Sequence, residues 1–224
     1  MKREIEFPTF RELLRDKRIL YYIKRADYFL DQMGYTDHGI NHVTWVARKA
    51  RKLLLETTED LRKAELAGVA GLLHDIGHII SRHDHAQSGA IIAYDLLKGK
   101  GFLDDDLTEI TFAIGNHEEE TGFPATEVAA ALVIADKSHV HRSRVRSRKT
   151  IHTDIHDRVN YAVLFSDLEI DRKEKTVKLV LKIDTEISDL LDYFSIFQPR
   201  MEMCRKATEK LGYRFRLKIN ETDL

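Results

Sequence analysis

The chain has 224 residues, with 36 Lys and Arg against 37 Asp and Glu, for a formal net charge of −1. That length holds one sizeable core, or one domain with a small companion, and the even charge excludes a surface that broadly coats nucleic acid or anionic membrane. Hydrophobic residues at 43% and charged residues at 33% describe a globular chain, and a single cysteine, Cys204, excludes an intrachain disulfide and a cysteine-built zinc site.

No apolar run reaches the length of a membrane span, and the start MKREIEFPTF lacks the apolar centre of a leader peptide. The expectation is a cytoplasmic protein without a membrane partner. With 3 Pro and 11 Gly, long helices are expected. Residues 8–33 place Phe10, Leu13, Leu14, Leu20 and Ile23 at helical spacing, and Gly34 closes them. A second helix is predicted from about His38 to Leu55, with Val43, Val46, Ala47, Ala50 and Leu54 inward. Thr58 is the expected cap of a third. Its stretch Leu66–Leu73 is apolar all round, as in a helix buried on every side, and it should end at Gly77. The stretches 85–98, 104–118 and 125–140 repeat the helical pattern.

The character changes near residue 159. Residues 159–184 alternate as two strands about a charged turn at Arg172–Lys175. An amphipathic helix over 186–211 follows, with Pro199 expected to kink or split it, and YRFRLKI alternates as a third strand. The predicted fold is mainly α: a helical bundle over residues 1–157, then a small α+β (ββαβ) unit over 158–224.

Histidine is the anomaly: 11 in all, nine of them between His74 and His156. His74 and Asp75 follow eight apolar residues, so both should be buried, and a buried carboxylate without compensation is costly. Asp136 ends the apolar VAAALVIA in the same way. His42 lies one turn before Val46 at the edge of an inner face, and His117 continues the stripe of Leu107, Ile110 and Ile114. Several helices thus point a His or Asp inward, and one or two divalent metals would satisfy them together.

The order His38-Gly-Ile-Asn-His42, then His74-Asp-Ile-Gly-His78, then Ala135-Asp136 resembles the HD superfamily of metal-dependent phosphohydrolases. His85 with Gly89-Ala90, and His117-Glu118 before Gly122-Phe123-Pro124, are similar to its longer-signature branch, which includes the HD-GYP phosphodiesterases. The likeness covers residues 36–145. Asn116-His117, His78 and Phe123 depart from the HD-GYP pattern, which points away from its cyclic dinucleotide. The resemblance implies His42, His74, Asp75 and Asp136 around one metal, with Asp75 shared to a second held by His85 and His117; His83 is the weaker alternative to His85. It also places His38 and His78 near substrate. The expected cofactor is one or two divalent transition-metal ions, iron or manganese first, with zinc, nickel, cobalt or magnesium also compatible.

Metal ions lower the pKa of bound water towards ~7 and hold phosphoryl oxygens, with Asp75 and Lys137 the expected catalytic residues. Lys137, Arg142 and Arg144 follow Asp136 closely and suit phosphate, so the expected partner is a small nucleotide-like phosphate ester. Arg148 and Lys149 read as a solvated loop, as do Glu118–Glu120 apart from Glu118, which would orient His117 or a water. His152 and His156 read as exposed, and Cys204 as core. Exposed strand edges favour a homodimer. Two other functions fit the same ligand types: a di-iron oxygenase of the same fold, and a non-catalytic nucleotide-sensing module.

Overall fold

A computed structural model describes residues 5–224. The first four residues, part of the charged start read against a leader peptide, lie outside the described residues. Helix α1 (Phe10–Leu13) is closed by a capping box of Thr9 and Glu12. Helix α2 (Lys17–Gln32) begins anew, because the Asp16 carboxylate accepts from Arg18 N and Ile19 N. The single segment expected over 8–33 is therefore two helices.

Helix α3 (Ile40–Thr58) leads into α4 (Leu61–Leu73), which is capped by Asp60 rather than Thr58. The Thr58 hydroxyl donates to the Leu54 carbonyl at 2.7 Å and accepts from Asp60 N at 3.2 Å, short of the first N–H groups of α4. Helix α4 stops at Leu73, and a 3₁₀ turn, Ile76–Ile79, carries the chain past Gly77. Then come α5 (His85–Leu97), α6 (Asp104–Gly115) and α7 (Glu127–Ser138). Two short 3₁₀ turns precede α8 (Ile155–Ala162).

Strands β1 (Val163–Asp171) and β2 (Thr176–Ile183) pair antiparallel, helix α9 (Leu190–Lys210) crosses over, and β3 (Arg214–Ile219) lies parallel to β2. Leu179 sits opposite Leu217 in that parallel pair. A two-residue strand, β4 (Thr222–Asp223), adds a fourth member in the order β1-β2-β3-β4. Helix α9 runs on through Pro199.

Helix α7 is the centre of the molecule. Every residue from Val128 to Ser138 is buried, between α3, α4, α6 and α9. The boundary expected at 157/158 falls inside α8, and one buried cluster joins Leu132 and Ile134 to Leu179, Tyr193 and Phe197. Two glycines set the approach of the elements that carry the site. A Cβ on Gly71 would lie 2.8 Å from Ala47 Cα, so glycine lets α4 close on α3. A Cβ on Gly77 would collide with the His85 carbonyl, so the turn after Asp75 can lie against the start of α5. Among the described residues no helix is long and apolar enough to cross a membrane.

Candidate metal centre and substrate cavity

The elements deliver four side chains to one point. His42 comes from α3, His74 from the end of α4, Asp75 from the residue after it, and Asp136 from the last turn of α7. His42 Nε2 lies 3.3 Å from His74 Nε2, from Asp75 Oδ2 and from Asp136 Oδ1. His74 Nε2 is 3.2 Å from Asp75 Oδ2 and 3.4 Å from Asp136 Oδ1.

The other Asp75 oxygen faces a second group. Oδ1 lies 3.4 Å from His78 Nε2, 3.7 Å from His85 Nε2 and 4.0 Å from His117 Nε2. His85 Nε2 and His117 Nε2 are 3.3 Å apart, and Glu118 Oε1 is 3.0 Å from His85 Nε2. His83, by contrast, is exposed at the cavity rim. Asp84, in the left-handed region at φ 56°, turns the chain so that His85 enters the interior.

The tautomers are set from behind. Nδ1 of His74 lies 2.9 Å from the Gly71 carbonyl, that of His85 3.1 Å from Arg82 O and that of His117 2.6 Å from Ile114 O. A carbonyl only accepts, so each Nδ1–H donates to it and each Nε2 is turned inward. His42 Nδ1 meets His139 Nδ1 at 2.8 Å, and His139 stacks on Trp45 at 4.3 Å.

Nε2 atoms and carboxylate oxygens thus crowd one another, and Asp75 Oδ2 is buried with no hydrogen-bond partner. Such a set is unstable without a cation at its centre. The residues fit a divalent metal at each group: two imidazoles and two carboxylates in the first, two or three imidazoles with Asp75 and Glu118 in the second. The charges answer the same demand. Burial opposes ionisation of Asp75 and Asp136, yet the His74 imidazole and, for Asp136, the Lys137 ammonium hold both well below the ordinary carboxylate range. Burial disfavours the His74 cation, but Asp75 and Asp136 raise its pKa to about 10. Burial, with the charges of His74 and Lys137, pushes His117 down to about 3, leaving a neutral ligand.

The model of the family described as HD domain matches residues 39–141, a span holding all these groups. Residues 39–141 thus match an HD domain. A ribonuclease Y from Lawsonia intracellularis is 35% identical over 103 residues, 46% of this chain and 18% of that one. An uncharacterized protein from Methanocaldococcus jannaschii is 27% identical, with 60% of each chain covered. The chain therefore spans less than two thirds of either curated relative. A crystal structure of a predicted HD superfamily hydrolase from an uncultured Thermotogales bacterium aligns at a TM-score of 0.42 and 28% identity, over 58% of this chain and 73% of that one.

Beside the second group of the HD domain opens a cavity of about 420 Å³, lined in part by His38, His85, Glu118, Arg82, Arg144 and Arg200. His38 faces His42 and His78 edge-on, with ring centroids 5.5 and 5.7 Å away. His78 stacks on His85 at 4.0 Å, and neither of its ring nitrogens has a hydrogen-bond partner. Arg144 is 5% exposed; its Nε and NH1 donate to the carbonyls of Asp37 and His139, and among the described residues no carboxylate pairs with it. Arg142 lies elsewhere, over the Tyr161 ring at 5.1 Å and outside the cavity lining. Lys137 is buried behind Asp136, its Nζ 2.9 Å from Asp136 Oδ2 and 3.3 Å from Glu119 Oε2. Burial works against that ammonium, but Asp136 and Glu119 raise its pKa further, so it stays charged.

Besides Arg142, three residues are placed differently from the sequence reading. Glu118 faces the second group directly, closest to His85, instead of only orienting His117 or a water. Glu119 is turned inward to Lys137 and Arg200, instead of being solvated. His156 is exposed as expected but stands at the cavity lining.

Proposed function

We propose that this HD-domain protein is a phosphohydrolase that holds two divalent transition metals, iron or manganese first, and cleaves a small nucleotide-like phosphate ester. The observation that carries the phosphate part is Arg144: a buried guanidinium without a carboxylate, lining the cavity that His85 and Glu118 also line. A buried charge of that kind calls for an anion, and a guanidinium fork suits phosphate oxygens. An oxygenase acting on an uncharged substrate would have no use for it.

His42, His74, Asp75 and Asp136 would hold one ion, and Asp75, His85, His117 and Glu118 the other. When bound, such ions lower the pKa of a coordinated water towards neutrality and polarise a phosphoryl oxygen. The chain's own groups complete the work. Asp75 offers one oxygen to each group, which fixes their spacing. Lys137 occupies the outer oxygen of Asp136 and leaves Oδ1 directed inward, so its part is to position a ligand. His38, on the cavity wall, donates its Nδ1–H to the Thr36 carbonyl at 2.7 Å, so its Nε2 would accept from a substrate, with His78 beside it. The homodimer remains a proposal: β1 lies at the sheet edge and exposes Leu164 and Phe165. A cytoplasmic setting, likewise proposed, fits the unpaired thiol of Cys204.

The test begins with protein purified without chelator, its metal measured by elemental analysis. Phosphate release is then followed over nucleoside mono-, di- and triphosphates and over cyclic and linear dinucleotides, with dioxygen uptake measured in parallel on ferrous protein. Phosphate release that is lost with chelator and restored by metal is expected. Full metal occupancy, no phosphate release and substrate-dependent dioxygen uptake would replace this reading with the oxygenase.

A further inference from the structure

The HD domain alone does not close the cavity. Among the lining residues, Asp157 and Asn160 belong to α8, and Phe197 and Arg200 to α9. All lie beyond residue 141, where the family match ends. Phe197 is 1% exposed, and the Arg200 guanidinium sits over its ring, 4.6 Å from the centroid. Arg200 Nε is 2.9 Å from Glu119 Oε1. The same Glu119 carboxylate takes Lys137 Nζ at 3.3 Å, and Lys137 reaches Asp136 at 2.9 Å.

Arg200 is therefore fixed from two sides, by an aromatic face and by an ion pair at Nε. A guanidinium carries five N–H donors in a rigid fork, so the ion pair of Nε with Glu119 leaves the terminal nitrogens for a ligand. Arg144 lines the same cavity, and the two like charges oppose each other: Arg200 is among the groups that weaken the hold of Arg144 on its proton. Arranging two guanidinium groups about one space is unfavourable until an anion enters it.

We propose that Arg200, supplied by the unit outside the HD domain, contacts the substrate, and that with Arg144 it seats a phosphate group. The α9 helix is on this view part of the active site. Two forks match the double charge of a phosphomonoester end better than the single charge of an internal diester. This rests on the phosphohydrolase reading above, and the experiment separates the two.

Binding of inorganic phosphate and of dimethyl phosphate to the full, metal-loaded chain would be measured by calorimetry for wild type, Arg200→Ala and Arg200→Lys, with metal content recorded for each. Wild type should bind phosphate more tightly than dimethyl phosphate. Arg200→Ala should weaken phosphate by about tenfold or more, the loss of a charge-assisted pair, with metal content unchanged. Arg200→Lys should recover part of the affinity, since the charge returns without the fork. Unchanged phosphate affinity in Arg200→Ala overturns the proposal. So does metal loss in step with affinity loss, because Arg200 would then act only through Glu119, Lys137 and Asp136. If metal-loaded wild type neither binds phosphate nor releases it from any ester, the phosphohydrolase reading falls and this proposal with it.

Discussion

Glu118 Oε1 lies 3.0 Å from His85 Nε2 and 3.9 Å from His117 Nε2, which makes this glutamate a member of the second metal group. Burial opposes its ionisation, yet the hydrogen bond from His85 and the charge of Lys137 hold it far below the ordinary glutamate range. Glu118→Gln should therefore cost the second ion and spare the first. Elemental analysis after dialysis is expected to fall from about two ions per chain towards one. An unchanged count would remove Glu118 from the ligand set.

His139 acts one step further out. It meets His42 at 2.8 Å through the nitrogen opposite the metal group, and Trp45 stacks on its other side. Groups that orient a metal-bound histidine in this way change metal affinity by about 10–100-fold when removed. His139→Ala should weaken the first ion by that amount in a chelator competition, while His139→Gln, which can still meet Nδ1, should lose less. Equal affinity in wild type and His139→Ala would make the contact incidental.

The approach of α3 and α4 is a matter of one missing methyl. A Cβ at position 71 would sit 2.8 Å from Ala47 Cα and 2.9 Å from Ala47 N, both backbone atoms that cannot rotate away. Gly71→Ala should therefore destabilise the fold by about 1–3 kcal/mol, the usual range for overpacking, even though alanine is the better helix former. Because His42 and His74 ride on the two helices, metal affinity should drop as well. Thermal unfolding of the metal-free protein isolates the first effect; a melting temperature equal to wild type would show that the helices part without strain.

These positions also show what the sequence could disclose. His74, Asp75 and Asp136 were legible because each follows a stretch of helix with no polar face, and a charged group there requires a partner. His117 was legible as inward-facing from the stripe of Leu107, Ile110 and Ile114, whereas His85 was found by resemblance, since its local pattern does not separate a ligand from an ordinary buried histidine. Glu118 and Glu119 were hidden in a run of three glutamates. Their inward turn depends on Gly122, whose close approach to the Asn116 carbonyl no side chain would permit. Arg200 was hidden for a different reason. It sits on an amphipathic helix in another part of the chain, and only the docking of α9 on α7 brings it to Glu119. Local spacing carries no trace of that contact. The same holds for α8, eight residues that straddle the expected boundary.

Cys204 is the chain's one thiol, fully buried on α9, and burial pushes its pKa up to about 12. Only the thiolate attacks disulfide reagents. The native protein should be inert to a thiol reagent at pH 8 and react with one equivalent once unfolded in guanidinium. The sign of the pH effect follows. Folding favours the neutral thiol, so its contribution to stability is intact below the ordinary value near 9 and is lost as pH rises towards 12. Rapid labelling of the native chain would contradict the burial.

The strongest demand falls on Asp75. Its two oxygens face different groups, Oδ2 towards His42 and His74 and Oδ1 towards His78, His85 and His117, and no neutral side chain can replace a carboxylate between two cations. Asp75→Asn keeps the shape but lacks the charge and turns one acceptor into a donor. That donor would point at imidazole lone pairs in one group or the other, so the metal-free fold should survive, and circular dichroism should stay unchanged. Metal occupancy should fall at both groups, and phosphate release should drop by orders of magnitude, since the groups that activate water would no longer share a ligand. Asp154→Asn is the control for a carboxylate outside the ligand set: Asp154 caps α8 through Asp157 N, and asparagine caps as well. Full metal content together with near-normal turnover in Asp75→Asn would refute a mechanism built on two ions bridged by this carboxylate.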